Sequence, residues 1–240
     1  MVSNINIYYI IVIGIAFFIS FISTPLMRVI AMRFKIYDHP HSLVKTHTIP
    51  VPYLGGIAIW FGFVFSLLII RLITQFPSGT LHNLRAILLG GLSIVILGII
   101  DDLNPKGIDF KKKFIFQFVS VLVLIFFGIH IKFIEPSYVA IILTIIWVVG
   151  ISNAFNIIDI IDGLAASIAI IASLAFVIIA LPTEQIYVNF AGMALAGACL
   201  GFLPYNLSKK MRIFMGDTGS LFIGFILASI ALGTSYTNVN

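Results

Sequence analysis

Apolar residues in this chain come in long unbroken runs rather than in alternation. Leu92-Ser-Ile-Val-Ile-Leu-Gly-Ile-Ile100 has no polar-out, apolar-in period of two. That argues against the half-polar strands of an outer-membrane barrel. Eight such runs approach the roughly 20 residues a helix needs to cross a bilayer. They cover residues 6–27, 51–72, 85–100, 114–131, 137–153, 164–181, 186–205 and 219–235. The pattern predicts an all-α polytopic transmembrane helix bundle of about eight spans, with residues 1–240 forming a single integral membrane domain. The first run is long and its positive charges follow it, so it reads as a span and not as a cleaved signal. The small-residue stretch Ala191–Gly201 predicts close helix–helix approach.

Composition supports this reading. Hydrophobic residues make up 60% of the chain and charged ones 10%, against about 25% charged in a soluble domain. A soluble enzyme, a disordered protein and a disulfide-stapled domain are excluded. The single cysteine, Cys199, rules out an internal disulfide and a cysteine metal cluster. The net charge of +5 does not point to nucleic acid. Eleven of the 14 basic residues fall in four loops, 28–50, 101–113, 154–163 and 206–218. By the positive-inside rule these loops face the cytoplasm and both termini are external.

The acidic residues are sorted as well. All seven aspartates lie in the same four loops, while Glu135 and Glu184 lie in turns on the other side. Acids contribute little to topology, so insertion does not explain the sorting. A single acidic site on the cytoplasmic face does. Asp101-Asp102 ends one span and reads as a reactive pair or as a solvated loop start. Asn153, Asn156, Asp159 and Asp162 recur at every third position, which predicts a polar stripe lining a cavity. Asp217 lies in Met215-Gly-Asp-Thr-Gly-Ser220, as an N-cap of the last span or as a ligand contact. Lys45 is a candidate phosphate contact, in a proline-rich, non-helical segment that also holds His47. Lys111–Lys113, Lys209, Lys210 and Arg212 either attract anionic substrates or set orientation and meet lipid headgroups. Clustered carboxylates with amides suit Mg²⁺ or Mn²⁺ rather than zinc, and Mg²⁺ is commonly shared with substrate phosphates. The residue types therefore point to phosphate chemistry at the membrane surface.

Ordered motifs then carry a resemblance. They are Asp38-x-Pro40…Lys45-x-His47-x-x-Pro50…Gly55-Gly56, Gly98-Ile-Ile-Asp101-Asp102, the segment from Asn153 to Ala165, and Phe214-Met-Gly-Asp217-Thr-Gly-Ser220. With them the chain resembles the polyprenyl-phosphate N-acetylhexosamine-1-phosphate transferases of bacterial cytoplasmic membranes. The Lys45-x-His47-x-x-Pro50 form looks like the N-acetylglucosamine branch. The resemblance implies transfer of a sugar-1-phosphate from a UDP-amino sugar, usually UDP-GlcNAc, to undecaprenyl phosphate, with release of UMP. It implies Mg²⁺, start of a cell-envelope polysaccharide, and a homodimer as one accessible assembly. It makes Asp101 and Asp102 catalytic and Asp217 a metal ligand, with Asp102 supporting the metal. Asn156, Asp159, Asp162, Lys45 and His47 become substrate contacts. Members of the family continue through further spans and a His-x-His loop, so the chain is expected to be incomplete at its C-terminus. The competing readings are a non-catalytic truncated homologue acting as a membrane scaffold and, less favoured, an ion-coupled transporter. A transporter would place acids in mid-span, where this chain has none.

Overall fold

The computed structural model describes residues 5–38, 50–104, 107–183 and 185–234. Within them the chain forms eight α-helices and one two-stranded sheet. The helices are α1 (Ile5–Arg33), α2 (Gly55–Ile73), α3 (Thr80–Leu103), α4 (Phe110–Phe126), α5 (Ser137–Ile158), α6 (Leu164–Ala180), α7 (Ile186–Asn206) and α8 (Gly216–Gly233). The strands, β1 (Tyr37–Asp38) and β2 (Val51–Pro52), pair antiparallel between α1 and α2. Six helices are long and apolar enough to cross a membrane; α6 is apolar but shorter, and α4 has 17 residues.

Each predicted run became one helix, and the differences lie at the ends. The second starts at Gly55 rather than residue 51, because Val51 and Pro52 pair with β1. The first continues through Pro25 to Arg33. Proline removes a backbone donor. Just before it, Ser23 Oγ donates to Ile19 O and Thr24 Oγ1 to Ser20 O, each at 2.7 Å, so both hydroxyls are satisfied within the helix.

Two helices form the interior. α1, α2 and α6 pack around α7, while α3, α5 and α2 pack around α8. In lipid the hydrophobic effect does not drive helices together, so close packing must do so. The small-residue stretch of α7 serves that end: a Cβ at Gly197 would sit 3.0 Å from both the Ile13 carbonyl carbon and the Ala16 methyl of α1. Large apolar side chains that would be a liability in water, such as Leu72 and Phe126, point outward from the bundle.

Side-chain contacts place the described parts of the four basic loops at one end of the bundle. The end of α1 meets the α7–α8 loop through Arg28 and Arg212. The start of α4 meets the start of α8 through Lys113 and Asp217. The end of α5 also meets α8, through Asn156 and Asp217. The start of α6 meets the end of α7 through Gly163 and Asn206.

Candidate active site

The site is built where the end of α3 abuts the start of α8. Gly98 makes this approach feasible, because a Cβ there would collide with the backbone of Thr218. One turn later come Asp101 and Asp102, both within α3 and both less than a tenth exposed. Successive helix residues point about 100° apart, so the two carboxylates reach different partners.

Asp102 turns to α8. Its Oδ1 accepts the Asp217 amide at 2.8 Å, and its Oδ2 accepts the Thr218 amide at 3.1 Å and the Thr218 hydroxyl at 2.6 Å. These are the otherwise orphaned donors of a helix N-terminus. The cap of α8 is therefore supplied from α3, which corrects the N-cap reading of Asp217: that residue lies in the first turn of α8. Gly216, at φ +70°, brings the chain within van der Waals reach of this carboxylate, where a Cβ would sit 2.5 Å from Asp102 Oδ2. On the other side Tyr53 Oη donates to the Asp102 carbonyl at 2.6 Å. Burial, followed by the charges of Asp102, Asp38, Asp101 and Asp217, pushes the Tyr53 phenol up to about 12, so it remains a donor.

Asp101 turns to α4. Its Oδ1 accepts the Ile108 amide at 2.5 Å and its Oδ2 pairs with Lys113 Nζ at 2.7 Å. The same Nζ lies 2.6 Å from Asp217 Oδ2, so one ammonium joins the carboxylates of α3 and α8. Asp217 Oδ1 accepts Asn156 Nδ2 at 2.9 Å, and that amide also reaches Ser220 Oγ at 2.9 Å. Asn156 is held by its helix: one turn earlier Asn153 and Gln117 of α4 exchange amide hydrogen bonds at 2.9 and 3.3 Å.

The predicted polar stripe is split by the end of the helix. Asn153 and Asn156 lie on α5, which ends at Ile158, whereas Asp159 and Asp162 lie in the turn that follows. Burial, then the charges of Asp217, Asp162 and Asp102, holds the Asp159 carboxyl well above the usual range. Asp162 pairs with Arg212, whose guanidinium also covers the Phe214 ring 5.0 Å from its centroid. Asn206 ties the region together: its Oδ1 accepts the Gly163 amide at 2.6 Å and its Nδ2 donates to the Ile213 carbonyl at 3.0 Å.

Asp101, Asp102, Asn156, Asp159 and Asp217 thus share one site, with Asp162 beside it; Lys45 and His47 lie outside the described residues. Among the described residues no three His, Cys, Asp or Glu side chains stand close enough to form a ready metal cage. Asp101 and Asp217 do converge on one cation, the Lys113 ammonium, and Asp159 ionises against three like charges. Sequence reasoning grouped Lys113 with Lys111 and Lys112 as a charge run. Its separate role required α3, α4 and α8 to meet, and no local spacing signals that. Tyr53 and Asn206 were missed for the same reason.

The model of the family described as Glycosyl transferase family 4 matches residues 84–235. The chain is 32% identical over 238 residues to the probable undecaprenyl-phosphate N-acetylglucosaminyl 1-phosphate transferase of Bacillus subtilis (strain 168), a match covering 94% of this chain and 64% of that protein. It is 32% identical over 232 residues to a decaprenyl-phosphate N-acetylglucosaminephosphotransferase of Mycolicibacterium smegmatis, covering 88% of this chain and 56% of that one. A phospho-N-acetylmuramoyl-pentapeptide-transferase of Staphylococcus saprophyticus is 31% identical over 246 residues, with 91% and 74% covered. The chain therefore spans about three fifths of the length of the first two relatives.

Proposed function

The chain belongs to glycosyl transferase family 4, a family of membrane transferases, and from that premise we propose that it transfers N-acetylglucosamine-1-phosphate from UDP-GlcNAc to undecaprenyl phosphate. The observation that carries this reading is the Asp101–Lys113–Asp217 bridge, with Asn156 on the remaining Asp217 oxygen. Phosphoryl transfer depends mainly on positioning and on neutralising charge. A partly exposed lysine between a buried and a partly exposed carboxylate, at the end of a membrane bundle, is suited to meeting anionic oxygens brought by a lipid and by a nucleotide.

In the proposed reaction an oxygen of the lipid phosphate attacks the phosphorus that bears the sugar. A new phosphorus–oxygen bond forms, the bond to the bridging oxygen breaks, and UMP leaves with that oxygen. The lipid phosphate is already ionised, so no strong base is needed. Asp101, anchored by the Ile108 amide, orients Lys113. Lys113 balances charge on the migrating group, and Asn156 fixes Asp217. Asp102 has its oxygens taken by three donors on α8, so its role is to hold Asp217 in register with Asp101. The oxygen donors fit Mg²⁺, which tolerates few protein ligands and keeps its waters. Asp101 and Asp217, which already share one cation, would hold it, and bound there it would draw negative charge from the diphosphate. The basic end of the bundle faces the cytoplasm in this reading, with all eight helices crossing the bacterial inner membrane and both termini outside.

The test is release of UMP from UDP-GlcNAc by the protein in membranes supplied with undecaprenyl phosphate and Mg²⁺. Release that requires both the lipid phosphate and Mg²⁺ is expected. No release with UDP-GlcNAc or any other common UDP-amino sugar overturns the proposal.

A further inference from the structure

Tyr53 reaches the acidic group from outside the helices. It lies between β2 and α2, in a segment bonded through its backbone to the approach to α8. The Phe214 amide donates to Pro52 O at 3.0 Å, the Gly55 amide to Phe214 O at 3.0 Å and the Gly56 amide to Met215 O at 2.9 Å. Gly56 keeps the segment against α8, since a Cβ there would collide with the backbone of Gly219. The backbone that carries Tyr53 is therefore fixed to α8. Its hydroxyl, however, is spent on α3, at Asp102 O.

The last four carbonyls of a helix have no partner within it. At the end of α3, Asp101 O accepts the Asn104 amide at 3.0 Å and Asp102 O accepts the Tyr53 hydroxyl at 2.6 Å. Asp102 is thus held at two points, its carboxylate by Asp217 and Thr218 and its carbonyl by Tyr53. These bonds close a ring. It runs from α8 through residues 52–56 and Tyr53 to Asp102, and back to α8. Held at the carboxylate alone, the end of α3 would be free to pivot about the Asp102 side chain. The second point removes that freedom. Asp101 is its neighbour, and its carboxylate meets Asp217 through the Lys113 ammonium. A pivot of α3 would therefore change the spacing of those two carboxylates. Burial and the surrounding carboxylates keep the phenol protonated, so it stays a donor.

We propose that Tyr53 is a positioning residue of the transfer reaction. Its hydroxyl fixes the end of α3 against α8, and so sets the spacing of Asp101 and Asp217 on their shared cation. It acts through Asp102 and is not itself catalytic. The kinetic part of this inference rests on the transferase reading. The structural part, the link from Tyr53 to the start of α8, does not.

The test compares Tyr53→Phe with wild type, because phenylalanine keeps the ring and removes only the hydroxyl. Hydrogen exchange followed by mass spectrometry, in detergent and without substrate, reads the structural link. Losing a hydrogen bond of this kind is worth roughly ten-fold in an equilibrium. The start of α8, at Asp217 and Thr218, should exchange faster by about that factor, while the second half of α8 keeps its protection. In the UMP-release assay kcat should fall by roughly ten-fold, with KM for UDP-GlcNAc little changed. Thr218→Val removes the hydroxyl that holds the other end of Asp102. Combined with Tyr53→Phe it should cost less in kcat than the product of the single losses, because residues in one network are non-additive. Unchanged exchange at the start of α8 overturns the proposal. So does a normal kcat beside faster exchange, or single losses that simply multiply. A wild-type protein that releases no UMP overturns the transferase reading instead, and the exchange measurement still decides the link.

Discussion

Asp102 of α3 caps the helix that carries Asp217, its Oδ1 accepting the Asp217 amide at 2.8 Å. Two members of the acidic group are thus joined through backbone, against the repulsion of their like charges. Asp102→Asn replaces one acceptor with a donor that faces the amides of α8. Loss of such a buried bond costs about 1–3 kcal/mol, so the variant should melt several degrees lower while also losing activity. A melting curve in detergent beside a UMP-release assay checks this. Loss of activity with unchanged stability would contradict the capping role.

Lys113 joins the carboxylates of Asp101 and Asp217 at 2.7 and 2.6 Å. In Lys113→Met those carboxylates face each other without a counter-charge. Activity should fall by roughly 10²-fold or more, the usual cost of removing a group that stabilises transition-state charge. The variant should also melt lower without divalent ions and recover part of that loss as Mg²⁺ is added, because a cation replaces the ammonium. Equal melting with and without Mg²⁺ would contradict a shared cation position.

Much of this arrangement was legible in the sequence, for physical reasons. Membrane spans depend on the length of an apolar run, a one-dimensional property, so each of the eight runs became one helix. The sorting of aspartates into four loops likewise anticipated that Asp101, Asp102, Asp159 and Asp217 would gather at one end. Partners were not legible. Asp217 had the local context of a helix cap, yet the cap came from Asp102, more than a hundred residues earlier. The Asn-x-x-Asn-x-x-Asp-x-x-Asp stripe suggested one helical face, yet the helix ends at Ile158 and Gly163 takes φ +75° before α6. That turn leaves Asp159 within the field of Asp217 and pairs Asp162 with Arg212.

Asn206 bridges that turn to the approach to α8. It is buried, and both its amide atoms are used. Asn206→Ala should cost about 2 kcal/mol, within the range for leaving buried partners unsatisfied. Gly163→Ala should cost a similar amount for a different reason: its φ of +75° disfavours a Cβ, which would also sit 2.7 Å from Leu207 Cδ2. Both variants should lose stability in thermal melts, and wild-type melting of either would remove the turn from the supports of the site.

The Gln117–Asn153 pair makes a subtler prediction. Gln117 is 1% exposed and lies one turn after Lys113, while Asn153 lies one turn before Asn156. The two amides bind each other reciprocally at 2.9 and 3.3 Å, and Lys113 and Asn156 both bind Asp217. The pair is therefore the polar tie that sets how far apart α4 and α5 hold the two residues that grip Asp217. If it acts through that spacing, Gln117→Leu and Asn153→Leu should each lower kcat more than they raise KM, by roughly ten-fold, about 1.4 kcal/mol. The double variant should cost little more than either single change, because residues in one network are strongly non-additive. A purely structural pair would instead show losses of stability that add, with kinetic constants of the folded fraction unchanged. A double-mutant cycle read in both melting temperature and kcat separates these outcomes.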